Sequence, residues 1–386
     1  MSGEVRMGVV GLGNMGAYHA DYLLKGAIKG AQLAAVCDIS PDKLAVFGAI
    51  DARKFEDSGK MLRSGLVDAV IIATPHYGHT TIGIDAFRNG IHVLTEKPIS
   101  VHKRDCESLI KAHKSSRGRI FGAMFQMRTL PLFAKVRSLV KNGEIGKIRR
   151  INWIVTDWFR PEAYYASGGW RATWKGEGGG VLMNQCPHNL DLLQWVCGMP
   201  EKVDAHCAFG KYHGIEVEDE VTAYLEFPGG ATGVFITTTG EAPGTNRWEI
   251  AGDRGRLVVE SGKIRFNRNE VDTRTFSRTT RGSFDTPPCW EIEVPTRGSG
   301  GRHEDITQNF VDAVRGQAQL LAPGAEGINS VELANAMLYS SLLGKPVKLP
   351  LNGSDFAACL GRLVSRSRGK KGKIRSSRAD ISGSFK

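Results

Sequence analysis

Val5-Arg6-Met7-Gly8-Val9-Val10 runs directly into Gly11-Leu12-Gly13-Asn14-Met15-Gly16, and Ala17–Lys25 follows. The first run is apolar enough for a buried strand, and the last has helical spacing. The three glycines between them each have a physical reason. Gly11 permits a tight turn, Gly13 lets backbone approach a pyrophosphate, and Gly16 allows close helix–strand packing. The phosphate then sits on free N–H groups at the positive end of the helix. Working outward, further strands are expected at Leu33–Cys37, Val67–Ala73 and His92–Leu94, with helices at Pro41–Phe47 and Thr80–Arg88. Short buried strands alternating with helices predict a parallel sheet covered on both faces. Asp38 ends the second strand, where its carboxylate would accept hydrogen bonds from ribose hydroxyls and repel a 2′-phosphate. NAD is therefore expected rather than NADP. Lys43 is expected to face solvent from the following helix.

After about residue 125 the rhythm changes. Leu130–Lys141 and Gly180–Val196 read as helices. Lys147–Asp157 and Val203–Phe266 alternate apolar and polar residues, with turns at Pro228-Gly229-Gly230 and Gly252-Asp253-Arg254-Gly255. This predicts an antiparallel sheet with one buried face, its other face being a place for subunits to meet. Residues 270–300 read as a long loop, followed by helices at His303–Arg315 and Ile328–Leu343. The division expected is residues 1–123 for the nucleotide-binding domain, 124–350 for a substrate and oligomerisation domain, and 361–386 for a basic tail.

Composition excludes several classes. The chain has 386 residues, 41% hydrophobic and 24% charged, which suits a folded protein of two domains. No apolar run is long enough to span a bilayer, and no secretory signal is visible at the start. Of the net charge of +11, residues 361–386 carry nine Lys/Arg and one Asp. The rest is close to neutral, so the basic character is a solvated tail, not a nucleic-acid surface. Seven cysteines at irregular spacing, with no C-x-x-C, predict free thiols and a cytoplasmic location.

Two segments carry chemistry. Thr95-Glu96-Lys97-Pro98 leaves the fourth strand on the carboxyl edge of the sheet, where ligands bind. A lysine there can donate to a reacting oxygen. In Gly178-Gly179-Gly180-Val181-Leu182-Met183-Asn184-Gln185-Cys186-Pro187-His188-Asn189-Leu190-Asp191, helical spacing puts Asn184, His188, Asp191 and Trp195 on one stripe. A histidine flanked by hydrogen-bonding side chains suits general base work. The glycine triplet before it would let a ligand approach the backbone. Trp153, Trp158, Trp170 and Trp174, with Tyr164, Tyr165, Arg160 and Arg171, either wall a sugar cleft or form a core under a long loop. His76 and His79 could pair on a metal, but no third ligand is placed, so no metal is expected. Both are expected to line the cofactor or substrate instead.

Together, GLGNMG at 11–16, ATP at 73–75, EKP at 96–98, the 178–191 segment and GKPVKLP at 344–350 resemble the Gfo/Idh/MocA family. The resemblance implies a Rossmann doubly wound sheet followed by an α/β domain with a large, open, mainly antiparallel sheet. It implies NAD(P)-linked oxidation or reduction of a sugar or cyclitol carbon, by a homo-oligomer (dimer or tetramer) assembled through that sheet. Cofactor contacts would come from residues 11–16, Asp38, Ala73, Thr74, Pro75, His76, His79, Glu96 and Lys97. Lys97 and His188 match the family's catalytic pair, and the bond before Pro98 is expected to be cis. Asn184 stands where many members carry Asp. An amide can orient the ring but not stabilise an imidazolium, and Asp191 either substitutes for that carboxylate or merely packs the helix. Substrate contacts would come from Arg128, Trp158, Tyr165, Trp170, Arg171, Asn184 and His188. Residues 176–200 are similar to enzymes that oxidise glycosides at C3. Two other readings share these residues: a glycosidase acting through tightly bound NAD and a transient keto-sugar, and a sensor that binds NAD and sugar without turnover.

Overall fold

The computed structural model describes residues 3–48 and 51–369. Its first sheet has six strands: β1 (Val5–Val10), β2 (Ala31–Cys37), β3 (Arg53–Phe55), β4 (Ala69–Ile72), β5 (His92–Thr95) and β6 (Phe121–Ala123). All pair in parallel in the order β3-β2-β1-β4-β5-β6. Strand order reverses between β1 and β4, so the turns after these two strands open the crevice where ligands bind. Every residue of β4 and β5 is buried, as expected of strands covered on both faces. β3, β6 and the helix Lys103–Ser115 escaped the sequence reading. The two strands are only three residues long, too short for periodicity to register.

The second sheet contains β7 (Ile148–Val155), β8 (Lys202–Phe209), β9 (Glu218–Glu226), β10 (Thr232–Thr238), β11 (Asn246–Gly252), β12 (Gly255–Glu260), β13 (Lys263–Asn269), β14 (Cys289–Val294) and β15 (Val347–Lys348). The order is β14-β13-β12-β11-β7-β10-β9-β8-β15. β7 and β10 run parallel, so the sheet is mixed and mainly antiparallel. On its inner face Trp153 of β7 stacks on Trp248 of β11, with ring centroids 4.2 Å apart. The outer face carries an alternating ladder, Arg150–Glu249–Arg247–Glu260–Arg265. Such part-exposed pairs contribute only ~0–1 kcal/mol each.

Four features differ from expectation. Residues 270–300 hold the helix Thr273–Thr279 and β14, an edge strand whose outward positions are exposed and therefore read as loop. The helix expected over Gly180–Val196 is two pieces, Val181–Asn184 and Pro187–Cys197. Pro187 has no N–H and its ring excludes the preceding turn, so the helix restarts there. The helix His303–Val314 lies in the second half of the chain but returns to the first core, burying Ile306, Phe310 and Val311 beside the strands of the nucleotide-binding sheet. The last helix, Gly353–Arg366, takes in residues 361–366 of the expected tail, and residues 370–386 lie outside the described residues. All seven cysteines are free.

Lys103 joins the two halves. Its ammonium donates to Glu332 Oε1 and to the Leu351 carbonyl, both at 2.8 Å. The Asn335 side chain accepts from its backbone N–H at 3.0 Å.

Candidate active site

The glycine turn separates what packing requires from what a ligand requires. Gly11 has φ +89°, and a Cβ there would lie 2.8 Å from Ala73 and Thr74 backbone. A Cβ on Gly16 would lie 1.6 Å from the Gly11 carbonyl oxygen. Both are demanded by the protein itself. A Cβ on Gly13 would meet nothing within 4 Å, so the turn is open on that side. The helix Asn14–Leu24 starts at Gly13 with no side-chain cap, leaving its first N–H groups for an anion. Thr74 Oγ1, in the facing turn after β4, is buried without a partner. An open glycine, uncapped N–H groups and an orphaned hydroxyl fit a dinucleotide.

Asp38 is fixed by N–H donors from Leu12 at 2.7 Å and Ser40 at 2.9 Å. Lys43 is exposed as expected, but its ammonium also reaches Asp38 Oδ2 at 3.2 Å. Next to Asp38, Ile39 is 89% exposed. It offers an apolar platform suited to an adenine ring, which sequence reasoning passed over.

The residues around Lys97 are mostly struts. Glu96 accepts from His19 at 2.7 Å and from the Lys97 N–H at 3.2 Å. Burial would raise its carboxyl, but the His19 hydrogen bond and the charges of His19, His303 and Lys97 hold it well below the usual range. It braces the turn instead of facing a cofactor. His79 is 1% exposed, with its two ring nitrogens 2.7 Å from the Pro98 carbonyl and 2.8 Å from the Thr74 carbonyl. It ties the two crevice turns together and does not line them. His76 reaches the Glu177 carbonyl at 3.0 Å, with its ring edge against Trp170. Among the described residues no group of three His, Cys, Asp or Glu could hold a metal ion. The Lys97–Pro98 bond is cis.

Lys97 donates to the Asn184 carbonyl at 2.9 Å, and burial pushes its ammonium below the ordinary lysine value. His188 is 7% exposed. Its Nε2 lies 3.3 Å from Gln126 Nε2, while its Nδ1 is buried with no partner. Burial, then the Lys97 charge, keeps the ring well below the ordinary histidine value, so it is neutral at pH 7. The Gln126 amide can only donate, so Nε2 carries the lone pair, and a neutral imidazole in the field of an ammonium can serve as the base of an acid–base pair. Gln126 Oε1 is also buried and unpartnered. Sequence reasoning missed Gln126, because β6, whose carboxyl end positions it, is too short to register in the sequence.

Several expected roles move. Asn184 does not orient His188. Its amide donates to Glu177, and its Oδ1 accepts from Tyr164 at 3.2 Å. Asp191 does not substitute for a missing carboxylate. It is locked to Arg128 by two bonds at 2.8 and 2.7 Å. Arg128, assigned to substrate, spends its guanidinium on Asp191, Glu326 and the Leu321 carbonyl. Tyr165 is 6% exposed, bonded to Thr239 at 2.7 Å and packed in the core of the second domain. Its neighbour Tyr164 takes the site position instead, accepting from Arg171 at 2.8 Å. Trp153 and Trp174 are core, whereas Trp158, Trp170 and Arg171 are partly exposed. The glycine triplet exists for protein packing: a Cβ on Gly178 would meet Val101 at 2.1 Å, and one on Gly180 would meet the Glu218 carbonyl at 2.0 Å.

Comparison with known proteins agrees with this geometry. Residues 5–123 match the model described as an oxidoreductase family NAD-binding Rossmann fold. Residues 133–258 match the GFO/IDH/MocA C-terminal domain. The chain is 26% identical to scyllo-inositol 2-dehydrogenase (NAD(+)) of Bacillus subtilis, over 90% of this chain and 97% of that one. It is 24% identical to 1,5-anhydro-D-fructose reductase of Ensifer adhaerens, over 73% of this chain and 80% of that one. The WlbA dehydrogenase of Chromobacterium violaceum, solved with NADH and UDP-GlcNAcA, is 30% identical with a TM-score of 0.77, over 90% of this chain and 97% of that one. With the cofactor cradle, the lysine–histidine pair and both domains accounted for, the chain belongs to the GFO/IDH/MocA family of NAD-binding oxidoreductases.

Proposed function

We propose that the protein oxidises a secondary alcohol of a sugar, glycoside or cyclitol with NAD, and catalyses the reverse reduction. The observation that carries this reading is the pairing of part-buried Lys97 with buried His188, the first an ammonium and the second a neutral ring whose Nε2 holds a lone pair. Residues 11–16, Asp38 and Thr74 would hold the dinucleotide, whose nicotinamide accepts the hydride when bound. His188 removes the hydroxyl proton at Nε2, the nitrogen that faces the Gln126 amide as an acceptor and so carries the lone pair. Lys97 donates to the same oxygen and stabilises its developing negative charge. Trp158, Trp170 and Tyr164 supply flat faces for the C–H side of a pyranose ring. The similarity of residues 176–200 to glycoside C3 oxidases supports C3 as the oxidised carbon. The open face of the second sheet is our choice of subunit contact. The test is NAD reduction by the purified protein against pyranosides and inositols, with mass spectrometry of the sugar. NADH with a keto-sugar is expected. Release of an aglycone without NADH would replace the dehydrogenase by a glycosidase. Sugar binding without either product would leave a sensor.

Two predictions attach to this site. Asp38→Ser should shift relative affinity from NADH toward NADPH by about 100-fold, because it removes a repulsion of a few kcal/mol and frees Lys43 for the 2′-phosphate. Fluorescence titration with the two reduced cofactors reads this directly, and an unchanged ratio would remove Asp38 from the ribose site. The second concerns pH. His188 is depressed, so its base form persists as pH falls below 6.5, and the acid limb of kcat/KM should lie below that value. Lys97 is also depressed, so its ammonium is lost, and the alkaline limb falls, below 10.5. An acid limb at or above 6.5 would contradict the burial of His188 in solution.

A further inference from the structure

We propose that Glu177 is a positioning residue of this site, its carboxylate holding Asn184 so that the Asn184 carbonyl fixes the Lys97 ammonium. The proposal rests on the functional reading above and adds a group which that reading does not use.

Glu177 is 2% exposed. One carboxylate oxygen accepts from the Asn184 amide, and the other accepts from the Ala172 N–H at 2.6 Å. The Asn184 carbonyl in turn accepts from Lys97 at 2.9 Å. Asn184 therefore stands between a buried carboxylate and a part-buried ammonium, with its side chain on one and its backbone on the other. Glu177 is tied to the cofactor side as well, since its own carbonyl meets His76 at 3.0 Å. A carboxylate used only to close the 172–177 loop would need the Ala172 bond alone. The second bond, to the residue that carries the catalytic lysine's acceptor, is what assigns it a role in positioning.

The surrounding charges indicate what its removal does. Glu177 faces Arg171 and Lys97, with Tyr164 and Glu218 also within its field. Lys97 faces two carboxylates, Glu96 and Glu177, and two guanidiniums, Arg171 and Arg160. His188 lies in the field of Lys97, Glu96 and His303. Burial drives the Glu177 carboxyl upward, and Arg171 and the Asn184 bond oppose that. Removing the Glu177 charge leaves Lys97 with one carboxylate against two guanidiniums, so its ammonium should be lost at lower pH.

The test is Glu177→Gln, followed by the double variant Glu177→Gln/Asn184→Asp, which restores a carboxylate–amide pair with its ends exchanged. Glu177→Gln should lower kcat by about 10- to 100-fold through misplacement of Lys97. It should also move the alkaline limb to lower pH and leave the affinity for NADH unchanged. The double variant should recover most of both losses. Lysine-15N NMR on the NADH-bound protein, with Lys97→Arg for assignment, follows the ammonium without turnover. An active wild type whose Lys97 titration and kcat are unmoved by Glu177→Gln would overturn the proposal. So would a loss that the double variant leaves unrepaired while it folds and binds NADH. A wild type with no sugar turnover but a clear Lys97 shift in Glu177→Gln would refute the functional reading and leave the role of Glu177 standing.

Discussion

Replacing His188 by alanine is expected to lower kcat by about 10²- to 10⁴-fold, the usual contribution of a positioned general acid–base. NADH binding should be retained, because none of the residues that form the glycine turn or hold Asp38 touches His188. The local geometry favours a functional over a structural reading. A structural histidine at this burial would have its N–H engaged, as His79 does with a backbone carbonyl at hydrogen-bond distance of either ring nitrogen. His188 has one long contact to Gln126 and an empty Nδ1. The fold therefore gains little hydrogen bonding from the ring, and its loss should cost stability mainly through a vacated volume, about 1–3 kcal/mol. Steady-state kinetics alongside thermal unfolding separates the two roles. Full turnover in a destabilised His188→Ala protein would assign the ring to packing.

Arg128→Met should have the opposite signature, a large loss of stability with little change in the KM for sugar. Arg128 and Asp191 each have side chains 1% exposed and meet through two parallel hydrogen bonds. Removing the guanidinium leaves a buried carboxylate uncompensated, a change that typically costs about 3–5 kcal/mol. At about 2–4 °C per kcal/mol for a domain of this size, the melting temperature should fall by roughly 6–20 °C. Asp191→Leu added to Arg128→Met should recover much of that loss, since an apolar pair of similar volume is often as stable as the ion pair it replaces. A stable Arg128→Met protein with a greatly raised KM would return Arg128 to the substrate.

These two residues also show what the chain discloses on its own. His188, Lys97 and the glycine turn are legible because their chemistry is set by neighbours a few positions away, at a strand end or along a helix. The restart of the helix went unread, although Pro187 forbids continuity and marked it in the sequence. Arg128–Asp191 and Glu177–Asn184 are different. Each partner looks like a free polar residue until the fold places the other beside it, and spacing along the chain holds no record of that. Tyr164 and Tyr165 are adjacent and chemically identical, so only the path of the helix Glu162–Ala166 decides which one faces the site. The helix His303–Val314 has clear amphipathic spacing, but spacing does not say which of two cores receives its apolar face.

The most direct test of the central claim is to follow the carbon-bound hydrogen. Sugars and inositols deuterated at carbon would be incubated with NAD and the protein, and the nicotinamide isolated and examined by NMR and mass spectrometry. The account predicts deuterium on the nicotinamide ring, matched by an equal amount of keto-sugar, with both formed about 10²- to 10⁴-fold more slowly by His188→Ala. Product formation with deuterium lost to solvent, or retained wholly in the sugar, would contradict it.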